Sequence, residues 1–132
     1  MKTDETKPLD WLAAGRMRLR SSDLSHAAEG PSPVVIQLLQ EAAERLLKAF
    51  LISGHWALVR THDLNRLLAE AAGCDPRLAK FADAARSLTE QFWEQHYPGG
   101  DLTEVGSNYD ELRQAIGEMV ELIEMEIATD QP

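Results

Sequence analysis

The sequence has little of what disulfide-stabilised, metal-binding or membrane proteins need. Cys74 is the single cysteine, so no intrachain disulfide can form. The most apolar segment, residues 34–52, is interrupted by charged and amide side chains and falls short of the roughly 20 apolar residues that span a bilayer. The first ten residues lack the apolar stretch of a signal peptide. The four histidines have no spacing typical of metal ligands. We therefore expect a cytoplasmic protein without metal, other cofactor or membrane contact.

Positive charge is also scarce. Thirteen Lys and Arg residues face 22 Asp and Glu residues, which gives a formal net charge of −9. From Asp101 to the end, nine acidic residues stand against the single basic residue Arg113. Such a surface repels polyphosphate at long range, so a broad non-specific nucleic-acid surface is not expected. Arg16, Arg18 and Arg20 lie close together in the sequence, so the net charge does not exclude a local basic site near them.

What the sequence does contain is apolar residues at helical spacing. The length suits one domain, residues 1–132, with a core from about 10 to 127. Apolar stripes bounded by Gly and Pro predict five helices, with limits near 10–28, 32–54, 61–73, 75–97 and 107–127. No useful stretch alternates apolar and polar residues. These patterns predict an all-α protein, an antiparallel up-and-down bundle of about five helices.

Several helix ends can be predicted in more detail. Ser32 before Pro33 is typical of an N-cap followed by proline in the first turn. Thr61 is the candidate N-cap of the third helix, with Asp63 in its first turn. The first helix is expected to run through Ser21 and Ser22 or to be interrupted there.

Two polar segments are candidates for a functional site. Glu44 and Lys48 are four residues apart in the order that favours a helical ion pair, which also fits an ordinary solvated helix face. Arg60, His62 and Asp63 cluster at a helix start, where free backbone N–H groups suit an anion. The alternative is a capped turn whose His62 bonds a neighbouring helix.

Together these segments resemble a known family. The chain has a first helix with Trp and Ala, then Gln40-Glu41-Ala42-Ala43-Glu44-Arg45-Leu46-Leu47-Lys48, then Arg60-Thr61-His62-Asp63-Leu64, and Tyr97-Pro98 at a helix end. This order is similar to the HEPN family (higher eukaryotes and prokaryotes nucleotide-binding domain) over residues 10–127. The resemblance implies a helical bundle that is commonly dimeric. It also implies nucleotide binding, partnership with a minimal nucleotidyltransferase, or metal-independent ribonuclease activity.

The ribonuclease members carry an Arg-x4–6-His motif, which this chain does not show at the family's position. The only literal match joins Arg20 to His26, on the first helix. On the expected helix, Arg86 and His96 are separated by nine residues. Related members often read Arg-Tyr-Pro where this chain has His96-Tyr97-Pro98, so a permanent cation suited to phosphate is lost. We therefore assign no catalytic residue; the sequence leaves open whether the chain is an enzyme and favours that it is not.

The leading hypothesis is a nucleotide- or RNA-binding or interaction module. The resemblance implies a homodimer that works with a minimal nucleotidyltransferase in a two-component, toxin–antitoxin-like system. The predicted ligand-binding cleft comprises Glu44, Arg45, Lys48, Arg60, His62, Asp63, His96 and Tyr97. The alternatives are a metal-independent ribonuclease toxin and a structural helical adaptor that binds only protein.

Overall fold

The computed structural model describes residues 2–58, 60–96 and 98–129. The helices are α1 (Pro8–Glu29), α2 (Pro33–Ser53), α3 (Leu64–Cys74), α4 (Ala82–His96) and α5 (Tyr109–Thr129). A short 3₁₀ helix, Pro76–Phe81, precedes α4. The described ranges contain no β-strand. The predicted all-α class is confirmed.

Helix α2 is the centre of the fold. Thirteen of its 21 residues are buried, so it needs cover on most of its circumference. It packs against α1, α3, α4 and α5. Within the described ranges, no helix is long and apolar enough to cross a bilayer.

Helix α1 is buried along a narrow line. Its buried residues, Leu12, Gly15, Leu19 and Ser22, follow each other at three- or four-residue steps and therefore share one face. The helix is continuous, so the interruption considered near Ser21 and Ser22 is not observed. The buried Ser22 hydroxyl lies 2.7 Å from the Tyr109 hydroxyl, so this serine is used in the contact between α1 and α5.

The start of α2 agrees with the prediction, whereas the start of α3 differs from it. The Ser32 hydroxyl accepts from the backbone N–H of Val35 at 3.2 Å. At α3 the N-cap is Asp63, not Thr61, and its carboxylate accepts from the backbone N–H of Arg66 at 3.1 Å. The Thr61 hydroxyl instead accepts from the backbone N–H of Asp63. A carboxylate thus occupies this helix terminus, which makes it a poor anion site.

The predicted fourth helix, from 75 to 97, is also divided. Asp75 caps a 3₁₀ helix by accepting from the backbone N–H of Arg77, and the regular α-helix begins only at Ala82. The apolar stripe alone could not distinguish a 3₁₀ helix from an α-helix here. Leu78 and Phe81 are buried three residues apart, and this spacing fits either helix type.

Candidate functional site

A cleft of about 700 Å³ lies between α2, the start of α3 and the C-terminal half of α4. Its volume is within the range of small-molecule sites. Helix α2 contributes the floor, and the other two segments contribute the walls. The lining residues are Gln40, His62, Asp63, Asn65, Thr89, Phe92, Trp93 and His96.

Gln40 is the most informative residue in this cleft. It sits on the buried face of α2 and is only 4% exposed. Its side-chain carbonyl oxygen, Oε1, is buried and has no hydrogen-bond partner among the described residues. An unsatisfied buried acceptor costs about 1–3 kcal/mol. Because this oxygen is also closed to solvent, a ligand in the cleft would reach it only if the Gln40 side chain rotated.

The α4 wall of the cleft is aromatic. Phe92 and Trp93 meet edge to face, with ring centroids 5.5 Å apart. The His96 ring stacks on Phe92 at 4.1 Å, and its Nδ1 lies 2.7 Å from the Phe92 carbonyl oxygen. Trp93 is 50% exposed. This wall offers an aromatic surface to a planar ligand.

His62 is held by a buried ion pair behind the cleft. Its Nδ1 lies 2.7 Å from Oε1 of Glu44, and Nζ of Lys48 donates to the same oxygen at 3.0 Å. The Lys48 ammonium also lies 5.2 Å from the ring centroid of Trp11. Glu44 and Lys48 are buried and do not line the cleft, so their direct effect is to hold the exposed imidazole of His62.

The eight predicted site residues therefore separate into groups. His62, Asp63 and His96 line the same cleft, and Glu44 and Lys48 lie behind it. The remaining three are Arg45, Arg60 and Tyr97.

Both of these arginines are engaged elsewhere. Arg45 donates to the backbone carbonyl of Glu41 within α2. Arg60, whose side chain is 82% exposed, forms an ion pair with Glu5 at 3.1 Å. Tyr97 lies outside the described residues. As a result, no Arg or Lys is among the described residues that line the cleft.

Sequence reasoning missed five lining residues: Gln40, Asn65, Thr89, Phe92 and Trp93. One signal was present for Gln40. It stands four residues after Ile36 and three before Ala43, so it interrupts the apolar stripe of α2 with an amide. The other four required knowledge of how α3 and α4 pack against α2.

A second polar cluster joins α1 to α5. Arg113 forms a two-bond ion pair with Asp23, at 2.7 and 3.1 Å, and the Tyr109 hydroxyl donates to the same carboxylate. The Arg113 guanidinium lowers the pKa of Asp23 below its usual value, despite partial burial. Burial raises the pKa of Tyr109. His26 stacks on Tyr109 at 4.1 Å. Since its polar groups bond one another, this cluster holds α1 and α5 together.

The literal Arg-x4–6-His match does not form a compact pair. Six residues correspond to about 600° around a helix, so the Arg20 and His26 side chains point about 120° apart. Arg20 is exposed, whereas His26 is half-buried against Tyr109. The described residues also contain no group of three or more His, Cys, Asp or Glu side chains that could hold a metal ion.

Comparison with known proteins places the chain in a family. The model of the HEPN domain matches residues 9–128, nearly the whole chain. Neither the comparison with curated proteins nor that with solved structures gave a match. The family match agrees with the helical bundle and, at family level, supports a nucleotide- or RNA-related module. The chain belongs to the HEPN family.

Proposed function

We propose that this HEPN domain binds a nucleotide in the cleft between α2, α3 and α4. The observation that carries the proposal is the lining of that cleft, about 700 Å³ in volume, which combines the aromatic rings of Phe92 and Trp93 with the amide residue Gln40. Nucleobases bring hydrogen-bonding edges and a flat aromatic surface, which suit Gln40 and the Phe92–Trp93 wall respectively.

The charge of the molecule favours a mononucleotide over RNA as the ligand. The formal net charge is −9, and no Arg or Lys lines the described part of the cleft. Protein contacts to a polyphosphate backbone rely mainly on Lys and Arg. A single nucleotide can place its base in the cleft and leave its phosphate in solvent.

Thermal unfolding with and without AMP, ATP, GTP and UTP tests this proposal. At 100 times its dissociation constant, a ligand stabilises the fold by about 2.7 kcal/mol, which raises the melting temperature measurably. Substitution Trp93→Leu should remove most of the shift, whereas Val34→Ala, at an exposed site at the start of α2 that does not line the cleft, should leave it unchanged. If no nucleotide changes the melting temperature at millimolar concentration, the proposal is wrong.

The resemblance also supports two partners, a second copy of the chain and a minimal nucleotidyltransferase, in a toxin–antitoxin-like system. Exposed Met17 and Leu24 are seven residues apart on α1 and therefore share one face, which suits association with another helix. Co-purification of the chain with a co-expressed nucleotidyltransferase of its own genome tests the second partnership.

A second candidate is metal-independent RNA cleavage, which the two histidines of the cleft favour. Both rings use Nδ1 in a hydrogen bond, His62 with Glu44 and His96 with the Phe92 carbonyl. Nε2 of each ring is thus left for proton transfer with an RNA ribose or phosphate. No arginine is among the described residues that line the cleft, so none of them can stabilise charge in the transition state as a permanent cation, and binding is the better-supported function.

Incubation of RNA with excess protein in EDTA decides this candidate. Cleavage that is lost in both His62→Ala and His96→Ala would support it. Intact RNA, or cleavage that survives both substitutions, would exclude these histidines as the catalytic pair.

A further inference from the structure

We infer that His62 and His96 bind the phosphate of the nucleotide when they are protonated, so that binding tightens as the pH falls, an inference that rests on the proposed nucleotide-binding function. Three properties of the cleft lead to it. Each of the two rings is held through one nitrogen, both rings are exposed, and no Lys or Arg is among the described lining residues.

The hydrogen bond at Nδ1 fixes the tautomer of both rings. Nδ1 of His96 lies 2.7 Å from the carbonyl oxygen of Phe92, which can only accept, so this nitrogen carries a hydrogen. Nδ1 of His62 lies 2.7 Å from a carboxylate oxygen of Glu44 that also accepts from Lys48, so it too is the donor. In a neutral ring the second nitrogen, Nε2, is then an acceptor, and protonation turns it into a charged donor.

Nε2 is available to a ligand in both rings. Neither Nε2 has a hydrogen-bond partner among the described residues. Both histidines are exposed, the side chain of His62 by 87%, and both line the cleft. A neutral Nε2 and a phosphate oxygen are both acceptors and repel each other. A protonated Nε2 donates a charge-assisted hydrogen bond to phosphate, so the two states of the ring differ in sign towards this group.

The charged groups around His62 do not supply another cation for the phosphate. Glu44 and Lys48 face it from α2 and form a buried ion pair without net charge. Arg60, two residues before His62, pairs with Glu5 of the N-terminal segment. A phosphate at the cleft therefore depends on the two imidazoles for positive charge.

Protonation of both rings reverses the charge of the described lining. Asp63, at the start of α3, is the one carboxylate residue in that lining, and α4 contributes no charged group to it other than His96. The formal charge of the described lining is therefore −1, from Asp63, with both imidazoles neutral, and +1 with both protonated. An anionic ligand is disfavoured in the first state and favoured in the second.

Equilibrium binding to the full chain at pH 5.5 and pH 8.0 tests the inference with two pairs of probes. The pairs are adenosine with the methyl ester of AMP, and uridine with the methyl ester of UMP. The two pH values span the range in which histidine usually changes charge. A methyl phosphodiester keeps one negative charge at both values, whereas a phosphate monoester gains a proton near about pH 6. The ratio of diester to nucleoside affinity isolates the phosphate, because effects of pH on the base or on the fold cancel.

We expect this ratio to rise about tenfold or more from pH 8.0 to pH 5.5, as a charge-assisted hydrogen bond would give. His62→Gln and His96→Gln should each reduce the rise, and the double variant should remove it. His55→Asn is the matched control and should keep the full rise. His55 is exposed and does not line the cleft, and asparagine tolerates the positive φ of 67° at this position.

NMR titration of the histidine rings gives a second readout that needs no variant. If the phosphate binds the protonated rings, a saturating diester must raise the pH midpoint of the His62 and His96 ring signals and leave that of His55 in place, because linkage is reciprocal. Unchanged midpoints would overturn the inference even where a variant does not fold.

The outcomes separate the inference from the proposed function. A ratio that is equal at the two pH values, or a rise that survives in the double variant, would overturn the inference and leave nucleotide binding intact. Failure of all four probes to bind at either pH would overturn both.

Discussion

At the scale of single residues, Glu44 has the largest number of roles in the site. One of its oxygens accepts from Lys48 and meets the imidazole of His62, and both charged groups of the pair are almost fully buried. Burial of two charges is costly, so such a pair is tolerated only while both partners are present. The arrangement explains how an exposed histidine is held at the cleft.

Removal of one partner of the Glu44–Lys48 pair should therefore lower the stability of the fold strongly. We expect Glu44→Gln to lower the free energy of unfolding by about 3 kcal/mol, because it leaves the Lys48 ammonium buried without its counter-charge. Urea denaturation measures this loss. The double variant Glu44→Leu with Lys48→Met should recover most of it. Arg66→Gln, in the more exposed pair of Arg66 with Glu70, should cost about 0.5 kcal/mol or less, and an equal loss in both variants would contradict this account.

The ionisation of Asp23 should make the free energy of unfolding depend on pH. Its pKa in the folded protein is lowered, chiefly by the hydrogen bond from Arg113, so the unfolded chain binds the proton more readily. Its contribution is therefore complete above about pH 4 and is lost as the pH falls through the lowered pKa.

The corresponding variant is Asp23→Asn. It should be less stable than the unmodified chain by about 0.5–1 kcal/mol at pH 7, the range of partly exposed pairs, and the difference should shrink below pH 3. Urea denaturation at the two pH values measures it. Glu90→Gln, at an exposed position of α4, serves as the control. A difference that stays constant or grows in acid would show that Asp23 does not act through its charge.

Part of the site was predictable at this scale. The Arg60–His62–Asp63 segment predicted a polar cluster at the start of α3, and two of its residues line the cleft. Helical spacing predicted the Glu44–Lys48 pair, but could not show that it is buried, because burial depends on how α1 covers α2. The unpaired state of Gln40 is likewise a property of packing, which no local pattern reports.

At the scale of elements, the contact between α1 and α2 depends on a glycine. A Cβ atom on Gly15 would lie 2.7 Å from Cγ of Leu46, which is fully buried and cannot easily move. The helices can approach this closely because Gly15 has no side chain. Helix α1 has no broad apolar face, so this close approach contributes much of its attachment.

Two glycine substitutions should consequently have opposite effects. Gly15→Ala should destabilise the protein by about 1–2 kcal/mol, because overpacking costs more than the gain in helix propensity. Gly73→Ala, near the end of α3 with open space around its Cβ position, should stabilise it by about 0.5 kcal/mol. Thermal or urea unfolding measures both. A stabilising Gly15→Ala would show that α1 does not depend on close packing at this point.

The elements were the most predictable part of the fold. Apolar spacing found the helices because buried residues recur at three- or four-residue steps in each of them, and Ser32 with Pro33 located the start of α2 correctly. The errors lie at Thr61 and at Pro76–Phe81, where two candidate caps or two helix types satisfy the same local pattern. Both errors have the same cause: tertiary contacts, which the local sequence does not show, determine which cap and which helix type form.

At the scale of the whole molecule, the proposed homodimer makes a direct prediction. Exposed Met17 and Leu24 on one face of α1 should be covered in the dimer, and sedimentation equilibrium should then give about twice the mass of the 14.7 kDa chain. The double variant Met17→Glu with Leu24→Glu should shift the protein to monomer without loss of helicity. A monomer at tens of micromolar for the unmodified chain would contradict the dimer.

The central claim is that the cleft between α2, the start of α3 and α4 binds a nucleotide. Its most direct test is a titration of ¹⁵N-labelled protein with AMP, followed by two-dimensional NMR. We predict saturable shift changes concentrated at the Gln40 and Asn65 side-chain amides and the Trp93 indole N–H, with little change along α5. Shift changes centred on Tyr109 and His26, or none at millimolar AMP, would contradict the account.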